Sequence, residues 1–148
     1  MSRYITLTVA KDSAIWLNLA AAAAGTPVRI VSGSNTQDIT VDTGWYIHNI
    51  ASYTAGSTTM TIYGNITCFG CYNNGANLTA IDLSNNTQLE KLSCSNNQLS
   101  SLDISHNTQL TGLWCEKNNL TALDLSNNTQ LKWLNCSNNQ LYRFPPRR

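Results

Sequence analysis

Charge is scarce in this chain. Only 11% of its 148 residues are Asp, Glu, Lys or Arg, and the signs nearly cancel to a net +1. A nucleic-acid binder needs a basic stripe, which such a balance cannot supply, so a nucleic-acid partner is excluded. Long apolar runs are missing too: no stretch approaches the roughly 20 residues of a membrane-spanning helix, so no membrane span is expected. Histidine occurs twice, as His48 and His106, neither within a catalytic or metal-binding motif. There is no nucleophile–base pair, no metal cluster and no phosphate-binding glycine loop, and catalysis needs such groups to converge. The chain is therefore read as a non-enzyme without metal or cofactor.

What is present is a period. Leu89, Leu110 and Leu131 stand 21 residues apart, as do Leu99, Leu120 and Leu141, and Cys94, Cys115 and Cys136. A fixed step in this range signals stacked units, each burying its apolar face only against its neighbours. Every unit divides into two halves. A Cys-half reads Leu89, Leu92, Cys94, Asn97; an Asp-half reads Leu99, Leu102, Asp103, Ile104, Asn107. Earlier copies are looser: Ile66, Phe69, Cys71 and Asn74, then Leu78, Ile81, Asp82, Leu83 and Asn86. Leu92 and Cys94 alternate with polar neighbours at period two, which predicts a short strand ending in an Asn-rich turn. Stacked Asn97, Asn118 and Asn139 are expected to bond the backbone of adjacent coils. No half has room for an ordinary helix.

These motifs resemble the leucine-rich repeat, Leu-x-x-Leu-x-Leu-x-x-Asn/Cys-x-Leu. More closely they resemble the short bacterial class with nested 10- and 11-residue halves, the IRREKO type, across about residues 66–141. The resemblance implies a surface or interaction protein, hence an extracellular or cell-surface location. The expected fold is an almost helix-free leucine-rich-repeat solenoid, with parallel β-strands on both sides of each coil, preceded by a small β-sandwich or sheet as a cap. The expected division is 1–60 for the cap and 61–148 for the repeats. Within the cap, Tyr4–Val9, Ile15–Ala20, Val28–Val31, Asp38–Val41 and Trp45–Ile50 read as strands. Ala14 to Gly25 carries a cleavage-like Ala22-x-Ala24, but the alternating residues before it suit a folded strand better than a signal peptide. At the far end Pro145 and Pro146 interrupt the pattern, as either a natural stop or a cut parent sequence.

Five cysteines read mainly as core. Cys71, Cys94, Cys115 and Cys136 take the inward position, where a reduced thiol packs as a small hydrophobe. Cys68 and Cys71 have redox- or zinc-like spacing but face opposite ways in a strand.

Inward positions are constant between copies, so specialisation should show on outward ones. The Asp-half presents small, uniform triplets such as Ser101, Asp103 and Ser105. The Cys-half presents Cys68, Gly70 and Tyr72; Lys91, Ser93 and Ser95; Gly112, Trp114 and Glu116; Trp133, Asn135 and Ser137. Exposed tryptophan calls for a reason. The candidate binding residues are Tyr72, Lys91, Trp114, Glu116, Trp133 and Asn135, offered to a protein partner. A glycan, with help from Trp45 and Tyr46, is the alternative, and a third reading has one Trp simply packing over Gly112. The column Asp82, Asp103 and Asp124 is expected to repel itself and to raise the pKa of Asp103, unless hydrogen bonds from Ser101 or Ser105 offset the repulsion.

Overall fold

The structure, a computed structural model, describes residues 2–46 and 49–141. His48 and the segment with Pro145 and Pro146 lie outside the described residues. In chain order the strands are β1 (Tyr4–Val9), β2 (Ala14–Ala21), β3 (Thr26–Ser32), β4 (Asn35–Val41), β5 (Ala51–Thr54), β6 (Thr59–Tyr63), β7 (Ile66–Gly70), β8 (Leu78–Asp82), β9 (Lys91–Ser93), β10 (Gly112–Trp114) and β11 (Trp133–Asn135). No α-helix occurs among the described residues.

Two sheets share one apolar cluster. One runs β4-β3-β6-β1-β8 and the other β11-β10-β9-β7-β2-β5. Alternation drives both: Ile5, Leu7 and Val9 of β1 and Ile15, Leu17 and Leu19 of β2 turn inward and are buried, as a period of two requires. Gly33 takes φ 61° at the tight β3–β4 turn, a backbone glycine enters without penalty. The expected division at residue 60 falls inside β6, which pairs with β1 and β3.

Each cap sheet continues into the repeats. β2 pairs antiparallel with β7, the first Cys-half strand, and β1 pairs antiparallel with β8, the first Asp-half strand. From β7 onward the Cys-halves stack in parallel, with Phe69 against Leu92, Leu92 against Leu113 and Leu113 against Leu134. The inward thiols follow the same register. Cys71, Cys94 and Cys115 are buried, Cys136 is half-buried, and all five cysteines are free.

Two expectations fail. Parallel strands were expected on both sides of each coil, but the Asp-half after β8 forms no strand. The Asp103 carboxylate accepts from Ser105 N at 2.9 Å, and the same turn recurs at Asp82 with Ser84 and at Asp124 with Ser126. The turn alone does not preclude a strand, since Asp82 closes β8 with the same bond. Asparagines tie this side together instead: Asn107 Nδ2 donates to the carbonyls of Leu83 and Asn86, and Asn128 Nδ2 to those of Ile104 and Asn107. The second failure is Trp45–Ile50. Trp45, Tyr46, Asn49 and Ile50 lie in no strand and the next strand begins only at Ala51, while the two residues between Tyr46 and Asn49 lie outside the described residues.

Candidate binding face

The outward side chains of the Cys-side sheet form rows fixed by register. Asn18, Gly70, Ser93, Trp114 and Asn135 make one row; Ala20, Cys68, Lys91, Gly112 and Trp133 make the next. Tyr72, Ser95, Glu116 and Ser137 follow in the same parallel register, through Asn73 N to Ser95 O, Asn96 N to Glu116 O and Lys117 N to Ser137 O. Asparagine columns keep this register. Asn97 Nδ2 donates to Cys71 O and Cys94 O, Asn118 Nδ2 to Cys94 O and Cys115 O, and Asn139 Nδ2 to Cys115 O and Cys136 O. The adjacent-coil bonding expected of these residues is present.

Glycines shape the face. A Cβ on Gly112 would meet the Trp114 ring at 2.7 Å, and one on Gly70 would meet the Tyr72 ring at 2.9 Å. Each aromatic thus leans over the glycine two residues before it. For Trp114 this is the packing reading drawn from sequence, yet the ring stays half-buried rather than covered. Trp45, from the segment after β4, crosses β2 and donates its indole N–H to Asn18 O at 2.8 Å. Its ring lies 6.3 Å from that of Trp114, tilted by 52°. Asn18 Nδ2 donates to Tyr72 Oη at 3.2 Å. Asn18, Trp45, Tyr72, Ser93 and Trp114 line an open hollow of about 270 Å³.

Of the six candidate residues, Tyr72 and Trp114 meet in this hollow. Lys91 and Trp133 form a separate pair, with Nζ 5.8 Å from the ring centroid and Trp133 53% exposed. Glu116 follows Trp114 on the same outward side, and its Oε1 is buried without a hydrogen-bond partner among the described residues. Asn135 is half-buried and engaged locally, its Oδ1 accepting from Ser137 N and Oγ. Tyr46 is 60% exposed. Sequence reasoning missed Asn18, Ser93 and the exposed Trp16. Alternation along β2 marks Trp16 and Asn18 as outward, but nothing local says that β2 lies beside β7.

Hydrogen bonds from the Ser105 hydroxyl and backbone hold the Asp103 carboxyl below its ordinary range. Serines lower Asp82 and Asp124 in the same way. The Asp103 pKa is thus not raised, because the exception allowed for Ser105 applies: two donors close to one carboxylate outweigh exposed like charges a rung away, which water screens. Burial pushes the Cys115 thiol up to about 12 and raises those of Cys71 and Cys94.

With its strand-rich build and repeated leucine rungs, the chain has a β-rich, leucine-rich-repeat-like fold. Among solved structures it is similar to the functional domain of InlJ from Listeria monocytogenes, which includes a cysteine ladder, at 38% identity and a TM-score of 0.49. The match covers 54% of this chain and 20% of that one, so the chain spans a small part of that protein's length. No protein-family model matches the chain, and no curated protein matches it.

Proposed function

We propose that this chain is a non-catalytic interaction module, a short leucine-rich-repeat solenoid of the nested 10/11-residue kind that binds a protein partner at a cell surface. The observation that carries the reading is the contrast between the two sides of the coil. The Asp side repeats the same small triplet, whereas the Cys side gathers Tyr72, Trp114 and Trp133 with Lys91 and Glu116 on one regular sheet. Exposed aromatics are the residues that anchor protein interfaces, with charged groups confined to the rim. Their backbone is fixed by parallel pairing and by the asparagine columns, which limits the ordering cost of binding.

The test is selection from a random peptide library, run beside a glycan array. Peptides should be enriched, Trp114→Ala and Trp133→Ala should each weaken them by about tenfold or more, and Asp103→Asn should leave them unchanged. Saturable glycan binding without peptide enrichment, or peptide binding that survives both tryptophan changes, overturns the reading.

A further inference from the structure

We propose that the hollow between Trp45, Tyr72 and Trp114 receives the guanidinium of an arginine presented by a protein partner. This rests on the protein-binding reading above and names the side chain that the face anchors. The hollow, about 270 Å³ and open to solvent, has room for a guanidinium and the end of its stem. Two of its walls are indoles tilted by 52°. They make a corner rather than the flat platform on which a sugar ring stacks. The third wall is the Tyr72 ring, with its hydroxyl held by Asn18.

Aromatic faces are electronegative and attract cations. Glu116, two residues beyond Trp114 on the same side, lies outside the lining of the hollow and contributes negative charge beside it. Lys91 neighbours Ser93 on the face, but its ammonium lies over Trp133, which is two strands further from β7. That pair also shows that a cation already rests on an indole of this face. Arginine fits better than lysine because its flat guanidinium stacks on a ring while its edge donors remain free. Ser93 and the Tyr72 hydroxyl, both on the wall of the hollow, supply acceptors for those donors.

The test is an NMR titration of the intact chain, following the indole N–H signals of Trp45 and Trp114. The probes are N-acetyl-arginine methylamide, its neutral isostere N-acetyl-citrulline methylamide, and methyl glucopyranoside. Arginine should give a saturable shift at both indoles, and citrulline should bind about fivefold more weakly, as the loss of a cation–π contact implies. Trp114→Ala should abolish the shift. Glu116→Gln should weaken it without moving the urea midpoint. An equal response to citrulline, or saturation by the pyranoside alone, overturns the proposal. Selected peptides that need Trp114 and Trp133, with no indole response to arginine, overturn the arginine assignment and leave the protein-binding reading standing. An arginine response with no peptide enrichment does the reverse.

Discussion

Asp103 shows how a single residue's surroundings decide its chemistry. Its Oδ1 accepts from Ser105 N at 2.9 Å and from Ser105 Oγ at 2.6 Å, and these bonds favour the charged form. A folded pKa below the unfolded value means that the stabilisation is present above about 3.9 and is lost as pH falls through the folded pKa. Asp103→Asn should therefore lower the urea midpoint slightly at pH 7 and make no difference in strong acid. The change stays small because Asn135 makes the same turn with an amide. A higher midpoint at pH 7 would restore the picture of mutual repulsion. Lys117 is set by backbone instead. It takes φ 59°, at a position where the other units have Asn73, Asn96 and Asn138. Asn enters this left-handed region more readily than Lys. Lys117→Asn should raise stability by up to about 1 kcal/mol in urea unfolding, and a loss would show that the lysine makes a compensating contact. The thiols divide by rung. Cys71, Cys94 and Cys115 are buried with raised pKa values, so they should resist alkylation until the chain unfolds. Cys68 and Cys136 are half-buried and should react first in a mass map. Rapid labelling of Cys94 would mean that the rungs open while the chain remains folded.

At the scale of elements, a three-residue strand is held by its stack. Leu113 is fully buried, with Leu92 and Leu134 beside it in register. Leu113→Ala should cost about 2–5 kcal/mol in urea unfolding; under half a kcal/mol would mean that the neighbouring rungs close over the gap. The Cys-side strands were legible in sequence because Leu92, Cys94, Leu113 and Cys115 repeat the inward alternation so strictly. The Asp side misled because alternation reports burial and not pairing: Leu102 and Ile104 are buried as the pattern requires, yet no strand forms there. The candidate site was legible in the same partial way. Tyr72, Trp114 and Trp133 are outward by period. The meeting of Tyr72 with Asn18 and Trp45 depends on β2 lying beside β7, a long-range pairing that leaves no local pattern.

Across the whole molecule, the two sheets bind cap and repeats at two seams, β2 with β7 and β1 with β8. A disturbance at either seam reaches both parts, so unfolding in urea should proceed in one transition by fluorescence and by circular dichroism. Two separated transitions would show that the seams are weaker than the pairing suggests.

The parallel register has a further consequence, about order. The units 89–109 and 110–130 carry nearly the same inward residues, Leu, Leu, Cys, Asn and again Leu, Leu, Asn, differing chiefly at Ile104 and Leu125. To the core they are interchangeable bricks. To the surface they are letters in a word, since the hollow needs small Ser93 next to Gly70 and large Trp114 one rung beyond. A chain with the two units transposed would keep its leucines and thiols in line and bring an indole into the place of a hydroxyl, beside Trp45 and Tyr72. It would fold as before and spell something else.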